Sequence, residues 1–228
     1  MSISPKQHFE ENILIVDDHP LTVEVHKAIL CDTLQGGINC HTATTAKQAF
    51  YVLSDFAAKG EQMGLAFFDV NLPPYADKKI YSGEDLAILT RKLFPGCKIV
   101  MISMHTEPLW VNRIIKAINP EGFVAKSDVD AKLFAEICTT IQSGIFYYSD
   151  AVRKSNKVII QQNVNWDEHD TKILQLIAEG VKTAHLTRWI PLSLSTIEKR
   201  KFNIKRQLIF ESGSDKDLVE KARSMGLL

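Results

Sequence analysis

Cysteine is scarce in this 228-residue sequence, and no two cysteines form a CxxC pair. We therefore interpret the four thiols, at Cys31, Cys40, Cys97 and Cys138, as reduced and mostly buried side chains of a cytosolic protein. Long apolar runs are also missing, and none approaches the roughly 18 residues of a membrane span. The N-terminal segment is polar and lacks the apolar region of a signal peptide. We therefore expect a cytoplasmic protein with no membrane partner.

Net charge is absent as well, because 27 Lys and Arg balance 27 Asp and Glu. The balance hides two parts of opposite sign. Residues 151–228 carry 14 basic and 9 acidic side chains, a net charge of +5, and residues 1–150 carry the other 13 and 18, a net charge of −5. This asymmetry predicts two domains with different partners, and the basic C-terminal part favours a polyanionic one.

Residues 1–145 contain a regular alternation of short apolar runs and helix-length amphipathic segments. The alternation predicts strands at 13–16, 38–43, 65–68, 98–102 and 122–125, and helices at 21–34, 46–58, 83–94, 109–118 and 130–143. Because parallel strands joined by helices twist and cross over with one hand, five such repeats predict an α/β fold. We expect a flavodoxin-like, doubly wound, five-stranded parallel sheet.

The alternation of strands and helices ends after residue 145. Residues 146–165 are mostly polar, and we interpret them as a linker. From 166 to 228 the pattern is entirely helical, with segments predicted at 167–179, 183–189, 195–207 and 215–224. The sequence therefore predicts a second, all-α domain.

Charged and polar side chains follow four of the predicted strands. Asp17 and Asp18 follow the first strand, Asp69 the third, Ser103 the fourth and Lys126 the fifth. In a doubly wound sheet, chemistry gathers at the carboxyl ends of the strands. We therefore expect three carboxylates, a hydroxyl and an ammonium group at one edge.

Clustered carboxylates are tolerated when a hard divalent cation lies between them, and Mg²⁺ prefers oxygen ligands. Asp17, Asp18, Asp69 and the backbone carbonyl of Asn71 are the predicted ligands. Lys126 supplies a second positive charge, which can pair first with Asp69 and later with a phosphoryl group. A carboxylate in this setting is a nucleophile for phosphoryl transfer, so Asp69 is the predicted phosphoacceptor.

These motifs resemble the receiver domain of two-component response regulators. The resemblance is carried by Asp17-Asp18, by FFDVNLP around Asp69, by VMISM and by GFVAKS, and it covers residues 1–145. It implies that a sensor histidine kinase phosphorylates Asp69. It also implies that Ser103 and Phe123 report the phosphoryl group by shifting together.

Other interpretations of single residues stay open at this point. Asp18 is also a possible helix cap, and Phe123 a core residue without a switching role. His19 and His105 are interpreted as polar rim residues, with metal ligation as the alternative. The segment PPYADKKIYS, residues 73–82, is longer than the usual loop of the family and lies beside Asp69, so it is a candidate for altering kinase choice or phosphate lifetime.

The stretch LTRWIPLSLSTIEKRKFNIKRQL, residues 186–208, carries a second motif. A short helix and a turn precede a helix in which Ile197, Ile204 and Leu208 form one apolar stripe. The remaining faces carry five cations against a single acid, Glu198. Two helices joined by a tight turn, the second of them basic, predict a helix-turn-helix that binds DNA.

This stretch resembles a LuxR-type DNA-binding domain that spans residues 166–228. The resemblance implies base contacts from Glu198, Lys199 and Phe202. It places Lys201, Lys205 and Arg206 on phosphates, which set affinity and register. Lys182 stands where the family usually has a Ser or Thr cap, so the first helix is predicted to start at Thr183. The alternative is a solvated basic face without a DNA partner.

Together the two resemblances predict a response regulator that controls transcription. Phosphorylation of Asp69 would promote dimerisation and sequence-specific binding to double-stranded promoter DNA, with no enzymatic activity beyond the protein's own phosphorylation and dephosphorylation. One alternative is a DNA-binding regulator that does not need phosphorylation and uses the receiver as a dimerisation scaffold. Another is a Mg²⁺-dependent phosphatase, against which Asn71 stands where such enzymes carry a second acid.

Overall fold

The computed structural model describes residues 11–34, 37–163, 167–208, 213–225 and 227–228. The start of the predicted receiver and Trp166, the first residue of the predicted C-terminal domain, lie outside these ranges. The chain divides into two compact units. The first comprises residues 1–104 and 120–147, and the second comprises residues 105–119 and 148–228.

The first unit is built on a sheet whose strands follow the order β2-β1-β3-β4-β5-β6. The pairs among the first five strands are all parallel. The predicted flavodoxin-like sheet is therefore confirmed, with one more strand than the five expected. The strands are β1 (Glu11–Val16), β2 (Ile38–Ala43), β3 (Leu65–Asp69), β4 (Lys98–Ser103), β5 (Gly122–Ala125) and the two-residue β6 (Tyr147–Tyr148).

Helices connect these strands at the positions that the apolar periodicity predicted. They are α1 (Pro20–Thr33), α2 (Ala46–Lys59), α3 (Gly83–Leu93), α4 (Pro108–Ile118) and α5 (Ala131–Gln142). Thr45 begins α2 as the predicted cap, because its side chain accepts a hydrogen bond from the Gln48 amide at 3.2 Å. Gly60 ends α2 in the left-handed conformation, at φ 69°.

The sheet is covered by helices on both faces, because its strands are apolar on both sides. In β1, Ile13 and Ile15 belong to a core shared with residues of α1 and α5. Leu14, which alternates with them, is fully buried on the opposite side. Helices α2 and α3 pack against each other and against the strands.

The second unit includes a helix within the predicted linker and a helix from earlier in the chain. Helix α6 (Asp150–Asn163) occupies most of residues 146–165, a segment for which the sequence predicted no helix. Helix α4 packs along α6, and for that reason it groups with the C-terminal helices rather than with the sheet. Among the described residues, no helix combines the length and hydropathy needed to cross a bilayer.

The remaining helices of the second unit surround a small apolar core. They are α7 (Glu168–Ala178), a 3₁₀ helix (Thr183–Arg188), α8 (Leu194–Leu208) and α9 (Asp215–Ser224). Ile197, Ile204 and Leu208 are buried, as the apolar stripe predicted. The first helix of the predicted pair starts at Thr183 as expected, but it is a 3₁₀ helix of six residues. Ser193 accepts a hydrogen bond from the Thr196 amide and thereby caps α8.

Candidate functional site

The register of the sheet brings the predicted acidic and basic residues to one edge. Val16 of β1 pairs with Phe68 of β3, so Asp17 and Asp69 follow the same line across the two strands. Ser103 pairs with Ala125, and Lys126 comes next along the chain. The parallel register alone therefore positions the carboxylates beside the hydroxyl and the ammonium group.

Lys126 joins the two buried carboxylates of this edge. Its Nζ lies 2.6 Å from Asp69 Oδ2 and 2.9 Å from Asp17 Oδ2. Both aspartates are 2% exposed, whereas the side chain of Lys126 retains a path to solvent. The other Asp69 oxygen, Oδ1, accepts a hydrogen bond from the Asn71 amide at 3.2 Å. One lysine thus faces two buried negative charges, and this imbalance leaves room for a further cation.

The pKa values of the pair reflect this imbalance. Burial raises the pKa of Asp69, and the nearby Asp17 carboxylate adds to this effect, while Lys126 and the Asn71 amide offset only part of it. Burial opposes the charged form of Lys126, but its two carboxylate partners outweigh burial and raise its pKa. The Lys126 ammonium group therefore stays charged. Its positive charge offsets only part of the effect of burial on the pKa of Asp69.

The residues at this edge fit a divalent cation, because their carboxylate oxygens lie close together. Asp18 Oδ1 is inaccessible to solvent, and the His19 ring nitrogen Nδ1 lies 2.7 Å from it. It lies in a group in which Asp17, Asp18, His19 and Asp69 each offer one ligand atom within 4.8 Å of the others. Carboxylates that lie this close together are stabilised by a shared cation, and oxygen donors suit Mg²⁺. Asp18 does not cap α1, whose N-cap residue is His19.

Ser103, Phe123 and Asn71 lie where their predicted roles require. Ser103 is fully buried at the end of β4, and Phe123 is fully buried within β5. Phe123 pairs with Met101, two residues before Ser103. Asn71 follows Asp69 closely enough for its amide to bond the acceptor carboxylate. The switching pair and the carbonyl ligand remain predictions, since they concern bound states.

A glycine that the sequence reasoning treated only as a helix start fixes the geometry at Asp69. A Cβ atom on Gly83 would lie 1.9 Å from the backbone oxygen of Asp69. The Gly83 amide also donates a hydrogen bond to the Val70 carbonyl at 3.0 Å. The first turn of α3 therefore closes directly onto the acceptor strand, which only glycine permits.

The long segment between Asp69 and α3 is an ordered hairpin-like excursion. Tyr75 and Ile80 form an antiparallel bridge with both backbone hydrogen bonds made, at 2.7 and 3.2 Å. The Tyr75 ring packs on Phe50 and Tyr51 of α2, with ring centroids 5.9 and 6.4 Å apart. Ile80, the other residue of the bridge, is buried. The insertion is thus anchored to α2 and does not lie loose over the acceptor.

Three of the cations on α8 are held in ion pairs inside the second unit. Arg200 contacts Asp167 and Asp170, each at 2.9 Å. Lys201 and Lys205 both contact Asp215, at 2.6 and 2.8 Å. Burial alone would raise the pKa of Asp215, but the two ammonium groups outweigh it and lower that pKa. These contacts connect α8 to the start of α7 and to the start of α9.

The opposite face of α8 is exposed and carries the other predicted contacts. Glu198, Phe202 and Arg206 stand four residues apart, and all three are exposed, as is the neighbouring Lys199. Phe202 is 59% exposed, with the Arg206 guanidinium 5.8 Å from its ring centroid. These exposed residues lie on the second helix after a turn, which is the position of the recognition helix in a helix-turn-helix.

Comparisons with known proteins support this reading of the two units. The transcriptional regulatory protein MctR of Rhizobium johnstonii is 24% identical over 200 residues, which cover 86% of each protein. A structure of the RcsB response regulator of Salmonella typhimurium has a TM-score of 0.54, with 18% identity over 92% of this chain and 96% of that one. RcsB from Salmonella enterica serovar Typhimurium, solved on a promoter with phosphomimetic BeF₃⁻, gives a TM-score of 0.55, with 18% identity over 94% and 98% of the two chains. The chain has the fold of a response regulator.

The match extends through both units, since the RcsB structures cover more than nine-tenths of the chain. The resemblance stated from the motifs is therefore confirmed at the level of the fold. No protein-family model matches the chain. The domain boundaries predicted at 145 and 166 remain predictions.

Two sets of contacts were not specified from the sequence. The His19 side chain is 69% exposed, as expected of a rim residue, and its ring also contacts Asp17 and Asp18. The signal was its place directly after the acidic pair. The ion pairs of Lys201 and Lys205 were also missed, because their partner Asp215 is 14 and 10 residues farther along the chain and on another helix. Nothing in the sequence of α8 itself marks those two lysines as paired.

Proposed function

We propose that this protein is a cytoplasmic two-component response regulator that controls transcription. A sensor histidine kinase would donate a phosphoryl group to Asp69, and phosphorylation would promote homodimerisation and binding of α8 to double-stranded promoter DNA. The observation that carries the proposal is the buried Asp69 carboxylate, held 2.6 Å from Lys126 beside an acidic pair. The MctR and RcsB relatives support the transcriptional role.

The chemistry at the acceptor follows from the neighbours of Asp69. An Asp69 oxygen attacks the phosphorus atom of the donor, and the donor group leaves from the opposite side. Lys126, already bonded to Asp69, can follow the incoming charge and bind a phosphoryl oxygen. Ser103 would donate a hydrogen bond to another phosphoryl oxygen. Mg²⁺, held by Asp17, Asp18, Asp69 and the Asn71 carbonyl, would supply positive charge against the phosphoryl oxygens.

The proposal gives the protein no substrate other than its own acceptor. The fully buried Phe123 would follow Ser103 when the phosphoryl group is bound, and so alter the surface near β5. A two-fold dimer would then recognise half-sites about one DNA turn apart. Base contacts are assigned to Glu198, Lys199 and Phe202.

The test is the intact mass of the protein after incubation with Mg²⁺ and acetyl phosphate. We expect one added phosphoryl group, about 80 Da, on the wild type and none on Asp69→Asn. Asp55→Asn is the matched control, because Asp55 is an exposed aspartate of α2 that pairs only with Lys59 among the contacts described. A phosphoryl group on Asp69→Asn, or none on the wild type, would refute the assignment.

The same samples separate the phosphorylation-independent alternative. DNA fragments selected by the wild type from random duplexes would be titrated with phosphorylated protein, with unphosphorylated protein and with Asp69→Asn. We expect tighter binding only by the phosphorylated wild type. Equal affinity of all three would favour a receiver that serves as a dimerisation scaffold.

A further inference from the structure

One face of helix α6 carries basic side chains that belong neither to the acceptor edge nor to α8. This face lines a cavity of about 400 Å³ in the second unit. The residues that line the cavity are Asp150, Arg153, Lys154 and Lys157 of α6, Arg223 of α9, and Leu228. We call the four basic residues of this set the α6–α9 cluster. Two helices therefore bring positive charge to one cavity.

Helix α6 packs on its neighbour without the help of these cations. The four α6 residues that line the cavity follow the spacing i, i+3, i+4 and i+7, so they share one face of the helix. The opposite face holds the buried Val152 and Asn156. Ser155, on that same side, donates a hydrogen bond to the Thr106 carbonyl, and α4 packs along α6. The cationic face is thus left for another role.

The charge of the α6–α9 cluster is only partly neutralised within the fold. Arg153 contacts Asp150. Lys154, Lys157 and Arg223 are exposed and make no ion pair with the residues that the structure describes. Like charges three or four residues apart on a helix repel each other, and Arg223 adds a further charge from another helix. An anion in the cavity would relieve this repulsion.

We propose that this cavity binds a small molecule that carries two or more adjacent phosphate groups. Its volume lies within the range of about 300–1,000 Å³ that is usual for small-molecule sites, and a DNA duplex cannot enter it. Arginine and lysine are the side chains that bind phosphate oxygens. A single phosphate group carries a charge of about −2, so linked phosphates match three unpaired cations better. The proposal does not depend on phosphorylation of Asp69.

Inorganic pyrophosphate is the probe, because it carries two linked phosphates and nothing else. It would be titrated into the full-length protein by calorimetry, at about 0.15 M salt to screen weak surface attraction. EDTA in the buffer removes divalent ions that could hold pyrophosphate at the acceptor edge. The wild type, Lys154→Gln, Arg223→Gln and Lys216→Gln would be compared. Lys216 is the control, because it is an exposed lysine of α9 that pairs with Glu220 and does not line the cavity.

We expect one pyrophosphate to bind per chain. Lys154→Gln and Arg223→Gln should each weaken binding about tenfold, because each removes a hydrogen bond between charged groups. Lys216→Gln should change the affinity less than about twofold. Orthophosphate should bind about tenfold more weakly than pyrophosphate, since it reaches fewer of the cations.

A second measurement needs no mutation and so does not depend on the folding of a variant. Exposed lysines of the wild type would be acylated with and without pyrophosphate, and the modified peptides would be quantified by mass spectrometry. Pyrophosphate should protect Lys154 and Lys157 but not Lys216. The same labelling with duplex DNA tests whether the face belongs to the DNA-binding surface instead.

Three outcomes would overturn the proposal. The first is no binding of pyrophosphate, or an equal loss of affinity in all three variants, which would indicate diffuse surface charge only. The second is equal affinity for orthophosphate and pyrophosphate. The third is protection of Lys154 and Lys157 by duplex DNA but not by pyrophosphate. Acetyl phosphate labelling of Asp69 is measured separately, so the proposed function and this site can fail independently.

Discussion

The acceptor edge and helix α8 both concentrate charge, but they neutralise it differently. At the acceptor edge, Lys126 joins two buried carboxylates, and the exposed His19 ring contacts Asp17 and Asp18 from the solvent side. On α8, Lys201 and Lys205 share Asp215, and Arg200 has two aspartates. In the first region, the three carboxylates of Asp17, Asp18 and Asp69 outnumber the basic side chains that contact them. In the second region, three of the five cations are already paired with aspartates of the same unit.

The difference shows that a count of charges along a sequence overstates the number that a partner can reach. Five cations on α8 suggested a broad basic face, but three of them hold the second unit together. Among the described residues, Lys199 and Arg206 are the cations of α8 without an ion pair, and both lie on its exposed side. At the acceptor edge the count was informative, because parallel strands deliver their carboxyl ends to one place.

Removal of Lys126 should produce the largest loss of stability, and it tests the difference between the acceptor edge and α8. In Lys126→Met, the two buried carboxylates lose their shared partner, so the free energy of unfolding should fall by about 3 kcal/mol at neutral pH. The deficit should shrink as the pH falls toward the raised pKa of Asp69. The raised pKa of Asp69 means that the folded state binds this proton more tightly than the unfolded state, so acid favours the fold.

Urea unfolding of the wild type and Lys126→Met, with and without Mg²⁺, measures this effect. Bound cation should restore part of the loss, because it binds only the folded state. The control is Lys59→Met, which removes an exposed lysine paired with Asp55 and should change stability little. A loss below about 1 kcal/mol in Lys126→Met would contradict the view that the acceptor edge depends on this one cation.

The substitution Gly83→Ala tests the close backbone packing at the acceptor edge, rather than its charge. The added methyl group would collide with the Asp69 carbonyl, so the start of α3 must move, at a cost of about 1–3 kcal/mol. Phosphoryl acceptance should fall with it, because the acceptor strand moves too. Gly96→Ala is the matched control, since its Cβ would meet nothing within 4 Å.

Thermal unfolding and acetyl phosphate labelling of the two alanine variants measure this prediction. Full labelling of Gly83→Ala at wild-type stability would mean that the close approach to Asp69 is not required.

Replacing either of two lysines of α8 by methionine should have a smaller effect on stability, and the effect should differ between the two. Lys201→Met loses its partners Asp215 and Thr183, and its free energy of unfolding should fall by about 0.5–1 kcal/mol. Lys199→Met should leave stability unchanged but weaken DNA binding. If Lys199 also neutralises a phosphate, the dependence of log K on log salt should become shallower by about 1.

Denaturation and DNA titrations at several salt concentrations separate the two lysines. If Lys201→Met weakened DNA binding as much as Lys199→Met at unchanged stability, the ion pair with Asp215 would be the less important contact of Lys201. In that case the prediction of a phosphate contact from Lys201, made from the sequence, would be favoured.

Much of the acceptor edge followed from sequence because it depends on local rules. Apolar runs marked the strands, and residues such as Asp69 and Lys126 directly follow or end them, so their meeting required only a parallel sheet. The pairing on α8 depends on tertiary packing, which brings Asp167 to Arg200 across 33 residues. Helix α6 was missed because its polar composition resembles that of a linker. The role of Gly83 was missed because a close backbone approach leaves no pattern in the sequence.

The anchored excursion between β3 and α3 has a practical consequence for protein engineering. Its base is closed by the Tyr75–Ile80 bridge and held on α2 by aromatic rings, whereas its tip, residues 76–79, is exposed. Changes in tip length are therefore isolated from Asp69 by a closed base, and the entropy cost of a longer loop grows slowly. A peptide tag inserted between Asp77 and Lys78 would be displayed beside the acceptor without becoming part of it.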